Sequence, residues 1–259
     1  MLYQTDIYTA SADISDIKSG ISVKIHGAAM NAIPKDYAAK MHEKGYHPFS
    51  VFTVEAGEGL LIRVSALCDE AKIISDALCR LESIKIFGAE KPIKLIGAEN
   101  APPINAADAE KYIDEKKCTL EFVTPAMIKT KGRPSAAPDI CGYFKSVINK
   151  YNTFESDDIS FEEFKEAFEN VSFGKYRLES TKYNVSGNIF PGMVGCCELI
   201  FPKDKRQNII LRRMIAYATY SGIGGKTSQG MGGIIIKNVK QNLLHTANCV
   251  SKRHRYHIT

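Results

Sequence analysis

The sequence lacks any apolar stretch long enough to span a bilayer, and its N-terminus lacks the cationic, apolar and small-residue succession of a secretion signal. Both absences argue against a membrane partner. Hydrophobic residues make up 44% and charged residues 24% of the 259 positions, which is typical of a soluble globular protein. A chain of this length can bury one large core or two small ones.

Metal-binding and disulfide patterns are also missing. The seven cysteines form no Cys-x-x-Cys pair, and there is no His-x-x-x-His spacing or dense cluster of Asp and Glu. An odd number of cysteines, most of them in apolar segments, favours reduced core thiols over disulfides or metal ligands. We therefore expect a cytoplasmic protein with no metal site and no cofactor.

A glycine-rich loop at residues 221–232 is the most specific feature that the sequence does contain. It reads as Gly-apolar-Gly, five residues that include Lys226, and Gly-apolar-Gly again. The glycines that define this spacing are Gly222, Gly224, Gly230 and Gly232. Glycine permits positive φ and close backbone approach, so the spacing predicts a loop with a defined conformation rather than a flexible one. Its amides and Lys226 suit a polyanion, although a purely structural loop would show the same glycines.

Nucleotide binding is disfavoured by the details of this loop. A Walker loop would need glycine where Tyr220 stands, and the dinucleotide fingerprint would need glycine where Thr227 stands. Both motifs also follow a strand and precede a helix, whereas here the predicted order is helix, loop, strand. A nucleotide-using enzyme is thus the least favoured of the possible functions.

Basic residues cluster in three places, on a formal net charge of +5. The clusters are Lys129, Lys131 and Arg133 in one loop, Arg212 and Arg213 before the glycine-rich loop, and Lys252, Arg253 and Arg255 in the tail. Any one cluster is explained by solubility alone. Together with the glycine-rich loop they indicate a nucleic-acid partner.

Apolar periodicity predicts the same order of elements twice. Residues 2–9 predict a strand and 27–44 a helical segment interrupted at Pro34. Residues 49–55 and 60–67 predict a hairpin, followed by a helix capped by Asp69 and a final strand region at 84–96. This β-α-β-β-α-β order is the ferredoxin-like plan.

The second half repeats that plan with an enlarged first helical segment. Predicted elements are a strand at 118–123, a helix at 139–151, a helix capped by Ser160 and Glu163, strands at 176–185 and 193–201, a helix at 206–219 and a strand at 233–239. In the helix at 206–219, Arg212 and Arg213 are expected to face outward. We predict two tandem ferredoxin-like domains of α+β class, at 1–100 and 118–245, with a linker at 101–117 and a basic tail at 246–259.

The chain resembles the CRISPR repeat-processing endoribonucleases, the metal-independent members of the RAMP superfamily. The glycine-rich loop between last helix and last strand carries the resemblance. Other segments agree in order, namely 26–54 with Met41-His42-Glu43, Phe122-Val123-Thr124-Pro125, the basic loop to Arg133, Pro138-Asp139 and Pro191-Gly192-Met193-Val194-Gly195. The resemblance covers nearly the whole chain.

The resemblance implies cleavage of precursor CRISPR RNA within its repeat, by attack of the substrate's own 2′-hydroxyl. It implies His42 as general base, or as general acid if the roles are reversed, and His26 as its partner, with Tyr46 and His47 as further candidates. Without the resemblance, His42 reads as an exposed helix-end residue and His26 as a capping or packing residue.

Phosphates would be neutralised by the basic residues of the loops and of the helix at 206–219. The expected RNA-binding set is Lys129, Lys131, Arg133, Arg212, Arg213 and Lys226, with the four glycines of the loop shaping the RNA path. Repeat RNA is the expected partner, with other CRISPR effector subunits as additional ones, and a monomer or a homodimer as the expected state. The alternative is a non-catalytic RNA-binding subunit of an effector complex.

Overall fold

The computed structural model describes residues 1–10, 20–41, 43, 47–85 and 91–237. The first half contains β1 (Tyr3–Thr9), α1 (Ile21–Ala32), α2 (Lys35–Lys40), β2 (Phe49–Ala56), β3 (Gly59–Ala66), α3 (Lys72–Cys79), β4 (Ser83–Ile84) and β5 (Ile93–Asn100). Its strands form one antiparallel sheet in the order β2-β3-β1-β5-β4. The first four of these follow the ferredoxin-like order, and β4 is an added edge strand.

The second half contains β6 (Lys117–Ala126), β7 (Ile128–Thr130), β8 (Arg133–Ser135), α4 (Ile140–Phe154), α5 (Phe161–Glu169), β9 (Ser172–Val185), β10 (Asn188–Ile200), α6 (Lys205–Ser221) and β11 (Ile234–Lys237). Its main sheet has the order β11-β6-β10-β9, and β7 pairs with β8 in a separate hairpin. This is again the ferredoxin-like order, so the predicted fold class is confirmed.

The core of the second half is built on α4 and α6. Asp139 caps α4 by accepting a hydrogen bond from the Gly142 N–H at 2.8 Å. One face of α4 then buries its large side chains completely, among them Tyr143, Phe144 and Tyr151. Tyr151 packs edge-on against Tyr217 of α6, with 5.1 Å between ring centroids. This packing fixes the two helices that lie behind the glycine-rich loop.

A buried interface joins the two halves. Phe52, Val54 and Leu61 of the first sheet pack against Ile235 of β11. The Ser50 hydroxyl donates a hydrogen bond to the Tyr220 carbonyl at 2.6 Å, near the end of α6. These contacts bring the end of α6 and the loop after it against the first half of the chain.

The expected outward position of Arg212 and Arg213 is wrong. Arg212 is buried and donates hydrogen bonds to the Glu110 carbonyl at 2.7 Å and to the Asn208 side chain at 2.6 Å. Arg213 forms ion pairs with the carboxylates of Glu110 and Asp157. Both arginines are held by neighbouring segments because a 3-10 helix, Ala106–Tyr112, packs onto α6.

That 3-10 helix lies in the segment predicted as a linker. Strand β5 runs to Asn100, and β6 begins at Lys117. Between them Ala106 and Ala109 are buried in the core of the second half, so the segment is packed rather than free. The domain boundaries themselves stay predictions, and the predicted tail at 246–259 lies outside the described residues.

Several predicted helix starts and turns differ in detail. Helix α1 begins at Ile21, not at residue 27, and α3 begins at Lys72 with Ala71 as its cap. Asp69 instead accepts a hydrogen bond from the Tyr3 hydroxyl at 2.9 Å. The turn between β9 and β10 is confined to residues 186–187, so Pro191 and Gly192 lie within β10.

The capping box of α5 forms only in part. The Ser160 hydroxyl accepts a hydrogen bond from the Glu162 N–H at 3.1 Å, whereas Glu163 pairs with Arg206 of α6. Among the helices that the structure describes, none is both long and apolar enough to cross a bilayer. The described cysteines are free thiols: Cys118 and Cys197 are buried, and the others are Cys68, Cys79, Cys141 and Cys196.

Candidate active site between the two halves

The glycine-rich loop has a defined backbone. Gly222, Gly224, Gly230 and Gly232 are all buried and all have positive φ, between 64° and 96°. A Cβ added at Gly232 would lie 1.9 Å from the Ile223 carbonyl oxygen, and that residue's N–H donates to the Gly232 carbonyl at 2.8 Å. A side chain would disrupt this closure. The spacing of the four glycines therefore corresponds to a loop with one defined backbone conformation, which these buried glycines make possible.

Both halves of the chain contact this loop. Its Gly225 N–H donates to the Met127 carbonyl at 2.8 Å, and its Gly232 N–H donates to the Pro125 carbonyl at 2.9 Å. At Gly230 an added Cβ would collide with Ser22 of α1 and with the Tyr183 hydroxyl of β9. The loop is thus fitted against the end of β6, against α1 and against β9.

A cavity of about 590 Å³ opens beside the loop, between α1, α4 and the segment before β2. We call it the junction cavity. Its lining residues are His26, Met41, His47, Ser146, Asn149, Lys150, Thr153, Gly224, Gly225, Lys226, Thr227, Ser228 and Gln229. Two histidines and two lysines in one cavity provide groups for proton transfer and positive charge for a phosphate.

His26 lines the cavity from the middle of α1, whereas the sequence predicts it at the start of that helix. Its side chain is half-buried, and its ring is stacked on Phe49, with 5.7 Å between centroids and 3° between planes. Stacking on a buried phenylalanine of β2 fixes the plane of the imidazole. The ring therefore faces the cavity in a defined orientation.

His47 lines the same cavity from the segment that precedes β2. Much of the side chain is exposed, yet partial burial of the imidazole and the positive charge of Lys150 lower its pKa below the ordinary value. The lowered pKa favours the neutral imidazole near neutral pH. A neutral imidazole can accept a proton.

Lys150 is the buried cation of the cavity. Its ammonium group donates hydrogen bonds to the Ser221 carbonyl at 2.5 Å and to the Thr227 hydroxyl at 2.6 Å. Burial lowers its pKa to about 7. It therefore connects α4 to Ser221 and Thr227, which flank the first part of the glycine-rich loop.

Lys226 stands at the tip of the loop with a left-handed backbone, φ 60°. Its ammonium nitrogen lies 4.7 Å from the centroid of the Phe190 ring and 3.3 Å from the Gln229 side-chain oxygen. The aromatic face and the amide oxygen hold this charge at the cavity wall. Such a placement suits contact with an anionic backbone.

The basic residues 129, 131 and 133 lie in the hairpin of β7 and β8, which we call the basic hairpin. Lys129, Lys131 and Arg133 are all exposed, and the turn has positive φ at Lys131 and Gly132. The hairpin begins directly after Met127, whose carbonyl binds the glycine-rich loop. It therefore adds three exposed cations to a segment that is joined to the glycine-rich loop through Met127.

The structure brings together part of the predicted site. His26, Gly224 and Lys226 line the cavity, and the basic hairpin starts beside it. His42 and Tyr46 lie outside the described residues, although Met41, which precedes His42, lines the cavity. Arg212 and Arg213 are turned into the protein, as described above.

Lys150 is a residue of the site that the sequence motifs do not single out. The available signal was its position on the apolar face of α4, in helical register with the buried Tyr143 and Val147. A lysine at an inward position of an amphipathic helix is uncommon and has to be satisfied by buried partners.

Comparisons with known proteins agree with this arrangement of two ferredoxin-like halves and a glycine-rich loop between the last helix and the last strand. Residues 120–234 match the family CRISPR-associated endoribonuclease Cas6. The chain is 26% identical to Cas6 of Streptococcus thermophilus over 230 residues, which are 85% of this chain and 93% of that protein. It is also 26% identical to Cas6 of Mycobacterium tuberculosis over 239 residues, 88% of this chain and 74% of the relative.

Solved structures agree with the fold. A Cas6 product complex matches with a TM-score of 0.75 at 17% identity, covering 92% of this chain and 100% of the other. Thermus thermophilus Cas6 matches with a TM-score of 0.69 at 20% identity, covering 92% and 98%. The chain is thus similar to Cas6 endoribonucleases in sequence and to solved Cas6 structures in fold, and the resemblance inferred from the sequence is confirmed.

Proposed function

We propose that the chain cuts precursor CRISPR RNA within the repeat, without a metal ion, and so produces mature guide RNA. The 2′-hydroxyl beside the scissile bond attacks the adjacent phosphorus and the 5′-oxygen leaves, which yields a 2′,3′-cyclic phosphate and a 5′-hydroxyl. One observation carries the proposal: two histidines and two lysines line a single cavity beside the glycine-rich loop. This reaction needs a proton acceptor, a proton donor and positive charge.

His42 is the proposed general base and His26 the proposed general acid, with Tyr46 as a further candidate. His42 and Tyr46 lie outside the described residues, and support for His42 comes from Met41 in the cavity lining. His26 lines the cavity itself. His47 joins this set as an alternative base, because its lowered pKa favours the neutral imidazole.

Lys226 and the basic hairpin are the proposed contacts to RNA phosphates. Their support is exposure and position: the hairpin residues are exposed, and Lys226 lines the cavity. Solved relatives include a Cas6 product complex and a Cas6 substrate mimic complex, which agrees with repeat RNA as the partner. Arg212 and Arg213 are removed from the proposed contacts because intrachain partners hold them.

The test is cleavage of the host's repeat RNA in excess EDTA. Wild type is compared with His42→Ala, His26→Ala and His47→Ala, and each variant is checked for folding by thermal unfolding. We expect one cleavage site and a cyclic phosphate end in the wild type. Loss of a general acid or base should slow the reaction about 100-fold or more.

A substrate with a 2′-deoxy nucleotide at the cleavage site is the chemical control, since it lacks the proposed nucleophile. It should bind and remain intact. Cleavage of that substrate, or cleavage that stops in EDTA, would exclude the proposed mechanism. Tight binding without cleavage in the wild type would instead support the non-catalytic RNA-binding subunit.

A further inference from the structure

Lys150 occupies an unusual place in the junction cavity. Its ammonium group lies under the glycine-rich loop and bonds two oxygens that are six positions apart, those of Ser221 and Thr227. The first is the carbonyl at the last residue of α6, and the second begins the 3-10 helix Thr227–Gln229. The Lys150 side chain of α4 therefore bridges the two ends of the segment 221–227.

Both partners of Lys150 are neutral oxygens. Burial disfavours the charged form and holds its pKa at about 7, while no carboxylate among the described residues offsets that effect. The other titratable groups nearest to it do not supply negative charge. They are His26 from α1, His47 from the segment before β2, Lys226 from the loop and Tyr217 from α6, whose hydroxyl lies 3.5 Å from the Lys150 carbonyl.

We propose that Lys150 is a positioning residue, which holds the glycine-rich loop at the cavity and becomes fully charged when an RNA phosphate enters. The inference rests on the proposed function, because it takes the RNA backbone as the anion. A phosphate favours the ammonium form by direct attraction. The charged ammonium group in turn strengthens the two hydrogen bonds that hold the loop.

Site-directed variants separate this role from a purely structural one. Lys150→Met removes the charge and keeps the length, Lys150→Arg keeps the charge at every working pH, and Thr227→Val removes one acceptor. Lys145→Met is the matched control, since Lys145 is an exposed lysine of the same helix. Cleavage is measured with repeat RNA from about pH 6 to about pH 9.

We expect Lys150→Met to lower kcat at least about tenfold with a change in KM below about threefold. The wild type should lose activity as pH rises and Lys150 loses its proton. Lys150→Arg should retain activity at the alkaline end, and Thr227→Val should show a smaller loss of kcat. A folded Lys150→Met variant with the wild-type kcat and pH profile would overturn the inference, as would equal alkaline losses in the wild type and Lys150→Arg.

Proton uptake on binding provides a readout that does not depend on cleavage. Calorimetric titration of the 2′-deoxy repeat RNA at about pH 8, in buffers of different ionisation enthalpy, measures it directly. The wild type should take up more protons than Lys150→Met. If the wild type fails to cleave but this difference is present, the proposed function fails and the role of Lys150 stands. Equal uptake in both proteins would reject the role of Lys150 even where the wild type cleaves.

Discussion

His47 and Lys150 are two titratable groups that share one cavity, and their charges depend on each other. Partial burial and the Lys150 charge both lower the pKa of His47. The Lys150 ammonium group is charged in the range where a histidine titrates, because its own pKa is about 7. At the residue scale, therefore, the protonation of His47 depends on the charge of Lys150, which lies on α4.

Replacing Lys150 with Met should raise the pKa of His47 toward its ordinary value. Removing a nearby positive charge stabilises the imidazolium form, whereas the contribution of burial stays. Titration of the histidine ring protons by NMR measures the change, and Lys145→Met should leave the value as in the wild type. A His47 pKa that is equal in Lys150→Met and wild type would show that the two groups are not coupled.

The glycine-rich loop is the element that ties the halves together. Its residues contact the end of β6, α1 and β9, so its shape determines the shape of the junction cavity. Positive φ alone does not explain why glycine is needed at each position. Gly57 in the β2–β3 turn has φ 65° with open space around it, whereas Gly232 has φ 67° and a carbonyl oxygen against it.

Gly232→Ala and Gly57→Ala therefore form a matched pair. Both variants place a Cβ at positive φ, which costs about 1–2 kcal/mol. Gly232→Ala should destabilise the protein by about 1–3 kcal/mol more, because the loop must shift to admit the methyl group. Urea unfolding measures the two free energies of unfolding. Equal values would mean that the loop accommodates a side chain, and the account of its closure would be wrong.

At the scale of the whole molecule, a buried lysine couples stability to pH. The folded pKa of Lys150 is about 7, well below the ordinary value near 10.5. Between these two values the unfolded chain binds one more proton at this position than the folded chain does. The contribution of Lys150 to the free energy of unfolding should therefore increase as pH rises through this range.

Thermal unfolding of the wild type and Lys150→Met at about pH 7 and about pH 9 tests this coupling. Other groups titrate in the same range, and comparison with the variant cancels their effects. The melting temperature of the wild type should rise relative to that of Lys150→Met on going to the higher pH. A difference between the two proteins that stays constant or shrinks would place the Lys150 pKa outside this window.

The sequence alone predicts both ferredoxin-like halves, because the buried apolar residues of each helix and strand recur with the period of that element. The Ser160 cap and the spacing of the four glycines are likewise local signals, and the structure has both. These features depend on residues within a few positions of each other. The same holds for the Cas6 resemblance, which rests on the glycine spacing and on the order of elements.

Tertiary structure decided which charges belong to the site. Arg212 contacts a carbonyl 102 positions away, and Lys150 contacts a hydroxyl 77 positions away. The local pattern places Lys150 on the buried face of α4 but identifies the partner of neither cation, so it predicts Arg212 outward and does not single out Lys150. A helical period tells which face is buried, but whether a cation on that helix meets solvent, a carbonyl or a cavity depends on what packs against it.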